Sequence, residues 1–124
     1  MKVEHILDCA EVNSEFELKQ IMKITNNQGM NEFWMSNDMD YPCLCISVNG
    51  EFAHVHYFNE EGDPGYQAIG DLELVDEMMV FIANTNEEIN IENGYILKKD
   101  DAIKVAVEFF HSQDLPQCVK WEEL

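Results

Sequence analysis

Two cysteines and two histidines are the residues of this chain with the clearest capacity for chemistry: Cys43, Cys45, His54 and His56. They flank an Asn49-Gly50 pair that lies between two runs rich in β-forming residues. Asn-Gly in this setting favours the two positive-φ positions of a type I′ turn. The sequence therefore predicts a β-hairpin from Tyr41 to Phe58, with Asn49 and Gly50 as its loop.

The predicted loop fixes which residues face each other across the hairpin, because side chains alternate between the two faces of a strand. One face is expected to pair Val48 with Glu51, Ile46 with Ala53, Leu44 with Val55, and Pro42 with Tyr57. The other face is expected to pair Ser47 with Phe52, Cys45 with His54, and Cys43 with His56. The four candidate residues thus share one face.

This Cys–His face allows three interpretations. Two Cys and two His form a plausible zinc set, although structural zinc sites usually take their ligands from tight loops. Cys45 beside His54 could form a nucleophilic pair, but no Gly-rich oxyanion turn or basic residue lies near them in the sequence. Phe52 and Phe58 share the face and favour a packed layer in which Cys acts as a small apolar residue. We favour the packed layer and keep a small zinc-binding protein as the alternative.

Acid–base chemistry and phosphate binding find little support in the sequence. The adjacent carboxylates Glu60-Glu61 and Glu87-Glu88 could act as acid and base, but such pairs arise by composition in a chain with 25 acidic residues. The chain contains no phosphate-binding Gly loop and no GxSxG, CxxC or HExxH motif. We therefore expect a protein that is not an enzyme and that has no cofactor and no bound metal.

The elements that must position these residues follow from periodicity and turn signals. Ser14 followed by Glu17 is a capping-box pattern and predicts a first helix over about 14–26, with Leu18, Ile21, Met22 and Thr25 as its stripe. A second helix is expected to start near Asp100, whose carboxylate would cap it, and to bury Ile103, Ala106, Val107 and Phe110. Leu115-Pro116 should end it.

Strands are expected over 2–8, 31–36, 65–69, 78–83, 88–91 and 119–124, with an acidic loop over 59–64. One early and one late helix around these strands, without regular βαβ alternation, indicate an α+β fold. We expect an antiparallel, twisted β-sheet with one N-terminal and one C-terminal helix packed on it. A chain of 124 residues is close to the usual size of one domain, and we predict a single domain over 1–124.

The charge balance is the most unusual property of the composition. The chain has 25 acidic residues, 7 lysines and no arginine, for a formal net charge of −18. Between Lys23 and Lys98 there is no basic residue, while fourteen carboxylates occur in that window: Glu32, Asp38, Asp40, Glu51, Glu60, Glu61, Asp63, Asp71, Glu73, Asp76, Glu77, Glu87, Glu88 and Glu92. High negative charge alone could serve solubility. The absence of arginine favours a surface that binds a basic protein instead.

The same charge argues against other partners. Nucleic acids and anionic membranes are bound by Lys and Arg, and a strongly negative field repels them. No hydrophobic segment follows Met1, and the apolar runs are shorter than a membrane span. We expect a cytoplasmic protein whose four cysteines are reduced, with no direct contact to nucleic acid or membrane.

Aromatic residues next to acidic ones suggest where a basic protein would bind. Interfaces favour aromatic anchors surrounded by charge, although an aromatic residue can equally belong to the core. The predicted partner-binding residues lie in two acidic loops and beside them: Trp34, Asp38, Asp40, Tyr41, Glu60, Glu61, Asp63 and Tyr66.

The segment FWMSNDMDYPCLCISVNGEFAHVHYFNEEGDPGYQAIG (Phe33–Gly70), with the late helix and the closing LPQCVKWEEL (Leu115–Leu124), resembles immunity protein family 1 of bacterial polymorphic toxin systems. The likeness covers about residues 31–124. Its motifs are the YP before the first hairpin strand, VHYF at the end of the second, the GDPG loop and the terminal WEEL. Cys43 and Cys45 depart from the family, where small or aliphatic residues are more usual.

This resemblance implies a cytoplasmic, non-enzymatic antitoxin that binds a cognate toxin domain, in a complex expected to be 1:1. Partner toxins of the family include nucleic-acid deaminases, and nucleases are a further possibility. Because such toxins act on polyanions, they tend to carry basic clefts, which an acidic inhibitor can occupy.

Overall fold

The computed structural model describes residues 1–6, 8–70 and 78–124. In order along these residues lie β1 (Lys2–His5), β2 (Asp8–Glu11), α1 (Glu15–Ile21), β3 (Met30–Ser36), β4 (Cys43–Asn49), β5 (Phe52–Phe58), β6 (Tyr66–Ile69), β7 (Met78–Ile82), β8 (Glu88–Glu92), a 3-10 turn (Asn93–Tyr95), β9 (Leu97–Lys98), α2 (Lys99–Ser112) and β10 (Lys120–Glu123). Leu7 of the first predicted strand and Asp71, Glu73, Asp76 and Glu77 of the acidic window lie outside the described residues.

One antiparallel sheet dominates the fold. Over the described residues its order is β10-β6-β5-β4-β3-β1-β2, and β9 also pairs with β5. β7 and β8 form a separate antiparallel pair. With α1 near the N-terminus and α2 near the C-terminus, the expected antiparallel α+β fold is confirmed.

The two helices pack on one face of the sheet, which we call the helix face. α2 lies against β4 and β5, and α1 lies against α2. The helix face of the central hairpin is fully apolar and buried: Leu44, Ile46, Val48, Ala53, Val55 and Tyr57. The opposite side, which carries the alternate residues of the same strands, is called the outer face.

The first helix begins as predicted and ends early. Ser14 is its N-cap, and the Ser14 side chain accepts a hydrogen bond from the backbone N–H of Glu17 at 3.1 Å. The helix stops at Ile21 instead of continuing to residue 26. Its predicted extension is a turn instead, in which the Asn26 side-chain oxygen accepts the backbone N–H groups of Gln28 and Met30. This local alternative to helical hydrogen bonding ends the helix.

The second helix differs from its prediction in its N-cap residue and in which of its side chains face the core. Its N-cap is Lys98, without a side-chain cap bond, and the backbone N–H of Lys99 donates to the carbonyl of Glu51 at 2.7 Å. A tertiary bond therefore anchors this end in place of the expected Asp100 cap. The fully buried residues are Ala102, Val105, Ala106 and Phe109, while Ile103, Val107 and Phe110 are only partly buried at the edge of the core. The small Ala and Val side chains let the helix lie close to the sheet.

The central hairpin forms, but its register is shifted from the prediction. Its loop is Gly50-Glu51, so that Asn49 pairs with Phe52, Ser47 with His54, Cys45 with His56, and Cys43 with Phe58. Of the two loop residues only Gly50 has a positive φ, at 60°, which matches a type II′ turn and not the predicted type I′. A shift of two residues keeps every side chain on its predicted face.

The β7–β8 hairpin covers part of the outer face. The Asn49 side-chain nitrogen donates to the carbonyl of Val80 at 2.8 Å, and the backbone N–H of Asn84 donates to Glu32 at 3.1 Å. Phe81 is fully buried and lies outside the core under the helices. The outer face is thus closed near the β4–β5 loop by a second, smaller layer.

The remaining strands lie near their predicted positions, with two additions, β2 and the short β9 (Leu97–Lys98), which pairs with β5. The strand expected over 2–8 ends at His5, and β2 (Asp8–Glu11) pairs back on it. The sequence did not predict β2, whose residues alternate weakly. Neither helix in the described part of the chain combines the length and apolar character needed to cross a bilayer.

Candidate functional site

An aromatic row crosses the outer face from β3 to β5. Trp34 lies opposite Cys45, and Cys45 lies opposite His56. The rings of Trp34 and Phe58 stack with centroids 5.9 Å apart, and those of Phe58 and His56 stack at 4.1 Å. Offset stacking of this kind adds to the gain from burial. The row is therefore a pre-formed wall of stacked rings.

Glu32 fixes the end of this wall. The indole N–H of Trp34 donates to the Glu32 carboxylate at 2.8 Å, and the same oxygen accepts the backbone N–H of Asn84. Glu32 is only 6% exposed. The sequence places Glu32 in the acidic window but does not by itself indicate this role. Its spacing from Trp34 could have revealed the contact, since residues two apart on a strand share a face.

A cleft of about 460 Å³ opens beside Trp34. Among the residues that line it, from β1, β3, the β3–β4 loop and the loop after β5, are Lys2, Glu4, Trp34, Asp40, Tyr41 and Glu61. We call it the Trp34 cleft. It brings together four of the eight predicted partner-binding residues, which the sequence had assigned to two separate loops.

Lys2 is the main feature of the cleft that the sequence did not reveal. Its ammonium nitrogen lies 3.0 Å from a carboxylate oxygen of Asp40 and 3.9 Å from one of Glu4. The hydrogen bond and the charge of Asp40 raise the pKa of Lys2, so it stays protonated. Together with Glu61, these groups place three carboxylates and one ammonium around the opening.

The β3–β4 loop holds Asp40 and Tyr41 in place. The Asn37 side chain accepts the backbone N–H of Met39 at 2.9 Å, and Asp40 adopts a positive φ of 64°, which Asp tolerates better than most residues. Partial desolvation, and the nearby charges of Glu61 and Asp40, raise the pKa of Tyr41. Tyr41 therefore presents a neutral phenol to the cleft.

The other four predicted contact residues do not line the cleft. Asp38 and Glu60 are exposed on the two loops that border it. Asp63 accepts the backbone N–H of Gly65 at 3.0 Å and that of Asn59 at 3.4 Å, so its carboxylate shapes the loop. Tyr66 lies on the helix face, with its ring 6.2 Å from that of Tyr57. Asp63 and Tyr66 thus serve the fold.

The two outer-face histidines are engaged in structural hydrogen bonds. The ring N–H of His54 donates to the Gln67 side chain at 2.6 Å, and that of His56 donates to the carbonyl of Pro64 at 2.8 Å. Burial lowers the pKa of His54 to about 4 and also lowers that of His56. Both rings are neutral at physiological pH.

The two outer-face thiols are protonated. Burial raises the pKa of Cys43 to about 11 and that of Cys45 well above its usual value. A thiolate is the nucleophile and the metal ligand, and these surroundings disfavour it. Within residues 1–6, 8–70 and 78–124, no three His, Cys, Asp or Glu side chains are grouped so as to hold a metal ion.

A larger cleft, of about 680 Å³, lies elsewhere, between α2 and the strands β6, β9 and β10. Lys98, Lys104 and Lys120 line it with Asp101. Its positive charge does not suit the basic protein partner that the sequence predicts. The Trp34 cleft is therefore the better candidate despite its smaller volume.

Neither the search against models of known protein families nor the search of curated proteins finds a match for this chain.

Proposed function

We propose that this protein is an immunity protein that neutralises a cognate toxin domain by binding the basic cleft of the toxin with the acidic, aromatic surface around the Trp34 cleft. The toxin would be one that acts on nucleic acid, such as a deaminase, and the complex would form 1:1 in the bacterial cytoplasm. The observation that carries the proposal is the rigid aromatic wall of Trp34 beside three carboxylates and one lysine.

The surrounding charge supports an electrostatic mode of binding. Asp38 and Glu60 are exposed beside the cleft, and no ion pair is formed by either within the described residues. Unpaired surface carboxylates project a negative field that speeds encounter with a cationic surface and disfavours wrong partners. The resemblance to immunity protein family 1 supplies a class of partner with this property.

The outer face offers binding groups more readily than catalytic ones. Its histidines donate hydrogen bonds to Gln67 and Pro64, and its buried thiols are protonated. A catalytic base or nucleophile needs a reactive protonation state close to working pH. These groups instead hold the wall on which a partner could rest, which supports binding over catalysis.

Co-expression with the toxin domain encoded beside this gene tests the proposal. The chain should suppress killing and co-purify with the toxin in equal amounts. Unchanged killing together with the absence of a complex would disprove the proposal.

Two glutamates at opposite ends of β5 provide a matched pair of charge reversals. Glu61 follows β5 and lies at the cleft, whereas Glu51 precedes β5 in the hairpin loop, and both side chains are exposed. The seven extended residues of β5 place the two glutamates about 20 Å apart. Glu61→Lys should slow association with the toxin about 2- to 10-fold at low salt, and Glu51→Lys should have a smaller effect. Equal effects would show that net charge acts without regard to place.

A further inference from the structure

The Trp34 cleft already holds a cation, which belongs to the protein itself. Lys2 reaches in from β1 and pairs with Asp40 at 3.0 Å across 38 residues of sequence. The contact joins β1, which lies between β2 and β3, to the β3–β4 loop. The position of this ammonium group shows where a positive charge is stabilised within the cleft.

A single lysine does not balance the groups around it. Glu4 and Asp40 both lie within 4 Å of Lys2, and Glu61 adds a third carboxylate to the lining. Lys2 is 40% exposed, so its pairing is screened by water and weak. A better-matched cation from outside could therefore take its place.

The aromatic residues of the cleft select the kind of cation. Trp34 and Tyr41 line it, and the Trp34 ring is held by stacking on Phe58 and by its bond to Glu32. A guanidinium is planar, is less strongly hydrated than an ammonium, stacks on aromatic rings and can bind a carboxylate through two N–H groups. Lysine satisfies fewer of these contacts.

We propose that the Trp34 cleft receives an arginine side chain of the basic partner, which displaces Lys2 from Asp40. This inference rests on the proposed function and names the chemistry of the contact. The guanidinium would lie between Asp40 and Glu61 and against the aromatic side chains of Trp34 and Tyr41. Lys2 is then an internal competitor, and its removal should strengthen binding.

Two tryptophans on opposite faces make the test specific. The indole N–H of Trp34 lies on the outer face, whereas that of Trp121 donates to the carbonyl of Pro116 at 2.7 Å and its ring packs against the core under the helices. The probe is the peptide acetyl-Gly-Arg-Gly-amide, titrated into the ¹⁵N-labelled protein while both indole N–H signals are followed by NMR. The control peptide carries citrulline, which has nearly the same shape as arginine and no charge.

The arginine peptide should shift the Trp34 signal with saturation and leave the Trp121 signal in place. The citrulline peptide should shift neither signal. Lys2→Met should tighten binding of the arginine peptide about 2- to 5-fold, the range set by an exposed ion pair. Lys19→Met, which removes an exposed lysine from α1 and changes the net charge equally, should alter the affinity less.

Three results would overturn the inference: an equal response to citrulline, an equal shift of the two tryptophans, or an affinity that Lys2→Met changes no more than Lys19→Met does. An unchanged Trp121 signal in each variant verifies that the fold is intact. If these results appear while the chain still co-purifies with its toxin, the inference fails and the proposed function stands. If the peptide binds as expected but no toxin is bound or neutralised, the proposed function fails and the arginine-binding cleft remains.

Discussion

Glu32 and Trp34 lie two residues apart on the outer face of β3, joined by a 2.8 Å hydrogen bond from the indole N–H to the carboxylate. The same carboxylate oxygen accepts the backbone N–H of Asn84, which begins the turn between β7 and β8. One buried side chain thus connects the wall of the cleft to the hairpin that covers part of the same face.

Replacing Glu32 should therefore destabilise the protein in a graded way. Glu32→Ala leaves two donors without an acceptor and should lower the free energy of unfolding by about 2–3 kcal/mol. Glu32→Gln keeps an acceptor and relieves a buried charge, so its cost should be about 1 kcal/mol or less. Urea denaturation followed by tryptophan fluorescence measures both. Equal stability of the two variants would show that the bonds to Glu32 contribute little.

The thiols should divide into two classes of reactivity. Cys9 and Cys118 are exposed, whereas Cys43 and Cys45 are buried, and the pKa of Cys43 is raised to about 11. At pH 8 a thiol of that pKa carries about 100-fold less thiolate than one of pKa 9. Partial desolvation and the nearby charge of Glu108 also raise the pKa of Cys118. In the native protein a colorimetric disulfide reagent should therefore react with Cys9 and Cys118 before it reacts with Cys43 and Cys45, with Cys118 slowed by its raised pKa, and it should react with all four thiols in urea.

The variant Cys9→Ser/Cys118→Ser should lose the fast reaction altogether. Elemental analysis of protein purified without chelators tests in a second way whether Cys43 and Cys45 bind zinc. Fast labelling of Cys43 or Cys45, or stoichiometric zinc, would instead favour the alternative of a zinc-binding protein.

What the sequence predicted well depends on local chemistry. The Ser14 cap, the hairpin and the face assignments of β4 and β5 follow from side-chain hydrogen bonding and from the two-residue period of a strand. The predicted hairpin register is wrong because the loop is Gly50-Glu51, while Asn49 is still part of the strand and pairs with Phe52. In the structure the Asn49 side chain instead bonds to Val80, a residue far along the chain.

The parts of the site that were missed come from long-range packing. Lys2 and Asp40 are 38 residues apart, and nothing in the local sequence indicates that β1 lies beside β3. The position of the β7–β8 hairpin over the outer face is likewise a tertiary contact. The eight predicted contact residues follow from the placement of charged and aromatic residues along the sequence, which does not reveal that Tyr66 lies on the helix face.

His54 should make stability depend on pH. Burial lowers its pKa to about 4 from the ordinary 6.5, so the folded state favours the neutral ring. The stabilisation is fully present above pH 6.5 and is lost as the pH falls toward 4, because the unfolded chain takes up the proton first. Between pH 7.5 and 4.5 the loss is about 2.5 kcal/mol.

A comparison with His54→Leu isolates this effect, because changes due to the many carboxylates are common to both proteins. As the pH falls from 7.5 to 4.5, the free energy of unfolding of the wild type should decrease by about 2.5 kcal/mol more than that of the variant. A difference that stays constant with pH would mean that His54 titrates normally in the folded protein.

Two glycines of the loop that carries Glu61 should differ sharply in their tolerance of alanine. Gly62 and Gly65 have nearly the same positive φ, 82° and 83°, so alanine costs about 1 kcal/mol in backbone strain at either position. A Cβ at Gly62 would meet open space, whereas one at Gly65 would overlap the carbonyl oxygen of Tyr57 and lie 2.9 Å from the His56 ring nitrogen.

Gly65→Ala should therefore lower the free energy of unfolding by about 2–4 kcal/mol, and Gly62→Ala by about 1 kcal/mol. Urea denaturation of both variants measures the difference, and similar values would show that the loop can move away from β5 at little cost. Because Gly65 lets the loop pack against Tyr57 and His56, Gly65→Ala should also weaken the proposed binding of a toxin through Glu61, while Gly62→Ala should leave that binding close to wild type.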